Sequence, residues 1–241
     1  MSIMKPQIVM PDYGHHNKDL DATVVRLRDD ASFKDLSCVC VLPNLGSIPV
    51  KVVAALKALY HMPNSKCTWM YPTAMEVGAA YSHAVEIIQQ QLPDWKYMLC
   101  VEHDNIPPPD GLVRILKQMD AHPEFAAIGG LYHTKGEGGC AQIWGDPKDP
   151  TLNFRPQLPD PNGGLVECCG TGMGFTAFRM EMFKDQRLRR PWFVTTDGTE
   201  GQGCSTQDLY FWGDARKHGY RCAIDCSIRV GHYDLSIDFS W

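Results

Sequence analysis

The sequence predicts a single α/β domain built on a mixed, mainly parallel sheet flanked by helices. Three observations predict it. Short apolar runs bounded by turn residues alternate with helix-period segments through the first half of the chain, the pattern of a parallel sheet. The second half keeps its strands but loses the regular alternation, which mixes the sheet. The length of 241 residues, with 44% hydrophobic and 21% charged residues, is ordinary for one globular domain with a sizeable core.

The elements follow in order. Residues 1–36 are polar and weakly patterned, an N-terminal extension with one short helix, and the domain proper spans 37–241. Ser37–Leu42 is a buried strand closed by the turn Pro43-Asn44-Leu45-Gly46. Val50–Tyr60 has a helical period and leads to a loop near Pro63-Asn64. Glu76–Leu92 is a second helix, with Val77, Ala80, Tyr81, Ala84, Val85 and Ile88 on one face, ended by Pro93-Asp94. Tyr97–Val101 is a buried strand that runs straight into Glu102-His103-Asp104-Asn105. Asp110 is placed to cap a helix over Leu112–Met119, and Phe125–Leu131 is the next strand. Residues 134–164, rich in Gly, Pro, Asp and Asn, form a long loop with a short hairpin; loops of this length are usually functional or disordered. Then come a strand at Leu165–Cys168, the turn Gly170-Thr171-Gly172-Met173-Gly174, a strand-like Phe175–Phe178 and a short helix at Met180–Phe183. Gln207–His218 is a helix ended by Gly219, and Arg221–Asp225 is strand-like. The chain shows no internal repeat.

Bulk properties exclude some functions. The formal net charge of -5 gives no global nucleic-acid footprint, and the local basic stretch Arg187-Leu188-Arg189-Arg190 reads as a solvated loop or a phosphate contact. No apolar run is long enough for a secretory signal or a membrane span, so the expectation is a cytoplasmic protein without a membrane partner. Ten cysteines occur without a single Cys-x-x-Cys pair, which argues for reduced structural thiols rather than a zinc knuckle.

Glu102-His103-Asp104 is the strongest local signal. Acids leaving the carboxyl end of a buried strand stand where open α/β sheets bind ligands. Hard oxygen donors there suit Mg²⁺ or Mn²⁺, with substrate phosphates filling the other positions. The alternative is a strand-end loop with solvated acids. His232, in Gly231-His232 near the end of the chain, gains meaning only beside such acids. The glycine turn at 170–174 follows a strand but opens no helix, so it is neither a P-loop nor a dinucleotide fingerprint. Asp208 opens a helix; it suits either the helix dipole or a general base acting on an acceptor hydroxyl.

Taken in order, these segments resemble the GT-A fold glycosyltransferases, particularly compact family-two-type members found in phages and metagenomes. The resemblance covers residues 37–234 and rests on Cys38–Pro43 with Asn44, on Tyr97–Asn105, on Gly129–Tyr132, on Glu167–Phe178, on Pro191-Trp192-Phe193, on Gln207–Trp212 and on Gly231-His232. It implies a Rossmann-like GT-A domain, with residues 37–133 binding a nucleoside-diphosphate sugar and 134–241 on the acceptor side. It implies Pro43, Asn44, Glu102, His103, Asp104, Gly170, Thr171 and Gly172 at the donor, and Asp104, His232 and Glu102 around Mn²⁺ or Mg²⁺. It further implies Asp208 as the base of an inverting transfer, and Trp192 and Trp212 against the acceptor, with core packing the alternative for both rings. Residues 134–164 would then act as a lid. Acceptor hydroxyls in keeping with the resemblance are a hydroxymethylated base of phage DNA, a protein side chain or a soluble glycan. Two departures stand out: Gln207 replaces the acid that precedes the base in relatives, and Tyr81-Ser82-His83 stands where they often carry Ala-Arg-Asn. The competing readings are a non-catalytic carbohydrate- or nucleotide-binding protein on the same scaffold, and a nucleotidyltransferase. Against the latter, Pro43–Pro49 lacks the basic residues such an enzyme needs after its first strand.

Overall fold

The computed structural model describes residues 36–61, 66–149, 153–197 and 204–241, together with the backbone strand Gln7–Val9. In chain order the strands and helices are β1 (Gln7–Val9), β2 (Cys38–Val41), α1 (Val50–Lys57), β3 (Cys67–Thr73), α2 (Val77–Gln91), β4 (Tyr97–Val101), β5 (Asn105–Ile106), α3 (Gly111–Ala121) and β6 (Ala127–Leu131). They continue with β7 (Ile143–Trp144), β8 (Leu165–Cys168), β9 (Gly170–Thr171), β10 (Phe175–Arg179), β11 (Thr196–Asp197), β12 (Cys204–Ser205), α4 (Gln207–Ala215), β13 (Cys222–Arg229), β14 (Gly231–Asp234) and β15 (Phe239–Ser240). Short 3₁₀ turns at Met180–Lys184 and Arg216–His218 follow β10 and α4.

The main sheet has the order β1-β3-β2-β4-β10-β6-β13-β8. Its pairings run β2, β3, β4, β6 and β13 in one direction and β1, β10 and β8 in the other, a mixed, mainly parallel sheet as expected. Period-two alternation sorts the side chains between two cores. Val39, Val41, Met98, Cys100 and Phe178 face one cluster, which α2 covers with Tyr81, Ala84, Val85 and Ile88. Cys38, Cys40, Tyr97, Leu99 and Phe175 face the other, which α3 covers with Leu112, Ile115, Leu116 and Met119. Cys38, Cys40, Cys67, Cys100, Cys140, Cys168, Cys169, Cys222 and Cys226 are free thiols.

Several expectations need correction. The helix expected within residues 1–36 and the loop at Pro63-Asn64 lie outside the described residues, although β1 adds an edge strand to β3. β3 was not expected: its alternation is interrupted by Pro72, which reads as a strand breaker but here sits against the edge strand, opposite Ile8. Asp110 stands at the N-cap of α3 without a capping bond; its carboxylate faces Arg114 at 3.6 Å instead. The short hairpin expected within 134–164 takes the form of an antiparallel bridge between Trp144 and Pro156, held by the Gly145 amide on the Arg155 carbonyl at 2.7 Å and the Gln157 amide on the Ile143 carbonyl at 2.9 Å, while β7 also pairs outward with β9.

Because β2, β4, β6 and β13 are parallel, their carboxyl ends lie along one edge of the sheet. Pro43-Asn44, Glu102–Asn105, Tyr132–Lys135 and the β13–β14 junction therefore gather there. That edge is the ligand-binding crevice of an open α/β sheet.

Candidate functional site

Glu102, His103 and Asp104 form the turn that ends β4. The Glu102 amide donates to the Gly174 carbonyl at 3.2 Å, and the Asn105 amide closes back on the Glu102 carbonyl at 3.2 Å. The next two residues are β5, which pairs with β14 so that Asn105 lies opposite His232. The Tyr233 amide donates to the Asp104 carbonyl at 2.7 Å, and β15 holds β14 from its other side. This small second sheet carries a residue from the end of the chain onto a turn in its middle.

The result is a tight charge cluster. Asp104 Oδ2 lies 3.4 Å from His232 Nε2 and 2.5 Å from Lys135 Nζ. The other ring nitrogen, His232 Nδ1, is 2.8 Å from the His133 carbonyl, so it donates there and leaves Nε2 facing the carboxylate. Tyr132 packs its ring edge-on to the imidazole, with centroids 5.7 Å apart. Burial opposes ionisation of Asp104, but His232 and Lys135 outweigh it and hold the carboxyl well below the usual range. Burial also opposes the imidazolium, and Asp104 and the His133 carbonyl outweigh that too, raising the His232 pKa.

Glu102 has the opposite fate. Burial, then the charges of Asp104 and Asp208, push its carboxyl up to about 7, only partly offset by His232 and Lys135. Asp208 lies in the first turn of α4 and is 7% exposed. Burial raises its pKa against hydrogen bonds from the Thr206 hydroxyl and the Leu209 amide. Its charge also raises Glu102 and Tyr132. Two carboxylates with raised affinity for protons beside one held ionised is the separation of roles that acid–base chemistry uses.

Asp104 and His232 are the pair able to hold a divalent cation, one hard oxygen and one imidazole nitrogen. The His133 carbonyl supplies the outer-shell bond that fixes a ligating ring. Among the described residues no group of three or more His, Cys, Asp or Glu side chains converges in metal-binding geometry. A Mg²⁺ or Mn²⁺ site of this kind is completed by water and substrate phosphate oxygens. Near this turn, Tyr81 Oη and both side-chain polar atoms of Asn105 are buried and have no hydrogen-bond partner among the described residues.

The remaining expected residues divide. Pro43 is buried and Asn44 half-buried at the end of β2, and the Asn44 side chain accepts from the Gly46 amide at 2.8 Å to hold the turn. His103 is half-buried between the two acids. Thr171 is fully buried and accepts from Trp212 Nε1 at 3.2 Å, so its side chain does not line an open sugar pocket. The glycines serve close packing: a Cβ at Gly172 would lie 2.1 Å from Tyr132 Oη, and one at Gly170 would lie 3.1 Å from Trp212. Trp192 and Trp212 are 1% and 0% exposed. They pack into an aromatic cluster with Phe178, Phe183, Phe193 and Phe211, so core packing replaces the acceptor contact expected for them.

The basic stretch is used locally. Arg187 binds Asp185, Arg189 lies over the Tyr210 ring, and Arg190 lies over the Trp192 ring. A groove of about 590 Å³ lined by Trp95, Lys96, Tyr97, Arg179 and Glu181 lies at the opposite end of β4, away from the charged crevice.

Sequence reading missed Lys135, Tyr132 and Tyr81 as site residues. Tyr81 was placed on the buried face of α2, which is right, but its hydroxyl reaches the neighbourhood of Glu102 and Asp104. Lys135 could have been noticed as a cation closely following the glycine-bearing strand β6.

Comparison with known proteins agrees on the fold. No family model and no curated protein matches the sequence. Among solved structures, the chain is similar to A197 from STIV, with a TM-score of 0.59 and 15% identity over 82% of this chain and 86% of that one. It is also similar to GalNAc-T7, solved with UDP, GalNAc and Mn²⁺, with a TM-score of 0.55 and 10% identity over 96% of this chain. The chain spans about half of GalNAc-T7, 54% of its length. At these identities the likeness is one of fold, and the fold is the GT-A type. No helix among the described residues is long and apolar enough to cross a membrane.

Proposed function

We propose that the protein is a divalent-metal-dependent glycosyltransferase that moves a sugar from a nucleoside-diphosphate donor to an acceptor hydroxyl with inversion. The observation that supports this best is the meeting of Asp104 and His232, 3.4 Å apart, at the carboxyl end of β4. The GT-A sheet that carries them is shared with a protein solved with UDP and Mn²⁺. Residues 37–133 are assigned to the donor and 134–241 to the acceptor side.

Asp104 and His232 would hold Mn²⁺ or Mg²⁺, and the ion would supply positive charge for the departing diphosphate. Asp104 is kept ionised by its neighbours, and the His133 carbonyl aims the His232 ring. Glu102, with its pKa near 7, is the poorer ligand and is placed to act through water or as a hydrogen-bond donor. Asp208 accepts the proton of the acceptor hydroxyl as that oxygen attacks the anomeric carbon. Burial of Asp208 makes it a stronger base than a solvated aspartate.

A panel of nucleoside-diphosphate sugars with Mn²⁺ tests the reading, followed by mass spectrometry of DNA with hydroxymethylated bases, proteins and soluble glycans. The local use of Arg187, Arg189 and Arg190 gives DNA no added support over the other two acceptors. Asp208→Asn should reduce transfer by about 10²–10⁴-fold while metal-dependent donor binding persists. EDTA should stop transfer. Turnover that ignores both changes would remove the mechanism, and donor binding without transfer or hydrolysis on every acceptor would favour a binding protein on this scaffold.

A further inference from the structure

Lys135 and His232 share one oxygen of Asp104, at 2.5 and 3.4 Å. The side chains of Lys135 and Asp104 are 32% and 18% exposed, so their attraction is less screened than at an open surface. A divalent cation that takes this oxygen would stand within a few ångströms of the ammonium. Like charges that close, in a partly desolvated site, repel strongly. The ammonium must leave when the ion enters.

The loop that bears Lys135 gives it somewhere to go. The loop is closed at its base by the Thr134 amide on the Cys140 carbonyl and the Cys140 amide on the Thr134 hydroxyl, both at 2.9 Å. Its tip is open: Gly136 and Gly138 have φ of 100° and 74°, and a Cβ at either would meet nothing within 4 Å. The surrounding charge explains why a resident cation is needed. The charge of Asp104 raises the Glu102 carboxyl beside it, and Lys135 and His232 act on Asp234 as well as on Asp104. Without Lys135, His232 alone would balance those carboxylates.

We propose that Lys135 is a placeholder cation: it neutralises Asp104 until a divalent ion binds, is displaced by that ion, and then pairs with the diphosphate of the donor. This rests on the transferase reading. The displaced ammonium finds a new anion only when the diphosphate is present, so metal and donor loading become coupled. The ion binds weakly alone and tightly with the nucleotide, and by linkage the nucleotide gains the same factor from the ion.

The test is binding by the full chain rather than turnover. Mn²⁺ alone is titrated into wild type, Lys135→Met and Lys135→Arg by calorimetry, and UDP is then titrated at saturating Mn²⁺, with other nucleoside diphosphates in parallel. Lys135→Met should bind Mn²⁺ roughly tenfold more tightly without nucleotide and the preferred diphosphate roughly tenfold more weakly, the scale of one partly buried charge pair. Lys135→Arg should resemble wild type in the first titration. Unchanged or weaker Mn²⁺ binding by Lys135→Met overturns the placeholder, and unchanged diphosphate binding overturns its transfer to the donor. Wild type that binds neither Mn²⁺ nor any diphosphate removes the transferase reading itself and the placeholder with it. Equal binding by wild type and Lys135→Met removes the placeholder alone.

Discussion

Asp208 is held between opposing influences: burial raises its proton affinity, while the Thr206 hydroxyl and the Leu209 amide lower it, and burial wins. A base with a raised pKa must lose its proton before it can act. The acid limb of kcat/KM should therefore lie above the ordinary aspartate range near 4. Thr206→Val removes one stabilising donor and should move that limb to still higher pH; a limb that stays put would show that Asp208 is not the titrating base. A second titration belongs to Cys67. Its Sγ is 3.8 Å from Cys40 Sγ, and the bond with Cys40, then His61, lowers its pKa to about 6 in spite of burial. A haloacetamide at pH 7 should label Cys67 ahead of the fully buried thiols, and His61→Ala should slow it several-fold, as read by peptide mass spectrometry. At this scale Asp104, His232 and Asp208 were legible because each sits at an element end whose type the sequence shows. Lys135 and Tyr81 were not, since their approach to the acids depends on the parallel pairing of strands distant in sequence. The two tryptophans misled because a large ring near a site reads the same whether it faces the crevice or the core.

At the scale of elements, β2, β4, β8 and β10 were readable from apolar runs, and α2 from its one-sided stripe, because local periodicity determines them. β3 was not, because Pro72 is tolerated only through its place beside the edge strand. β5 is two residues long and gains its structure from β14, a partner more than a hundred residues away. The β14–β15 hairpin positions His232 but lies outside the eight-stranded sheet. Deleting residues 231–241 should therefore keep the far-UV circular dichroism of the domain while removing Mn²⁺ binding. Loss of the whole fold would mean that the hairpin supports the core as well as the site. The Ser82 hydroxyl is a second element-level clasp: it donates to the Phe193 carbonyl at 3.2 Å and accepts from the Phe193 amide at 3.0 Å, tying α2 to the segment before β11. Ser82→Ala should cost about 1–3 kcal/mol, because two buried backbone groups lose their partner; a melting temperature equal to wild type would show that the clasp is not needed.

For the whole molecule, the crevice makes stability depend on pH in a direction opposite to ordinary acid unfolding. Glu102 has a folded pKa of about 7 and Asp208 is also raised, so between the unfolded carboxylate range and pH 7 the folded state binds more protons than the unfolded one. Stability then falls as pH rises through that window. His232 has the same sign: its raised pKa favours the folded state below its unfolded value, and that stability is lost as pH climbs through the folded one. Asp104 is depressed, stays ionised throughout, and adds nothing to the slope. For Glu102 the effect between pH 8 and pH 6 is bounded by its shift, no more than about 3 kcal/mol. Cys67, with its thiol lowered to about 6, acts in the opposite direction over this window, so the trend is read in Cys67→Ser, whose melting temperature in EDTA should rise by several degrees as pH is lowered from 8 to 6. Glu102→Gln should raise it at pH 8 and flatten the curve. Saturating Mn²⁺ should flatten it as well, since a cation beside Glu102 removes its preference for the proton. A melting temperature of Cys67→Ser that is level across this range in EDTA would mean that Glu102 is solvated and ionised, and the desolvated acidic crevice on which the catalytic reading depends would be lost with it.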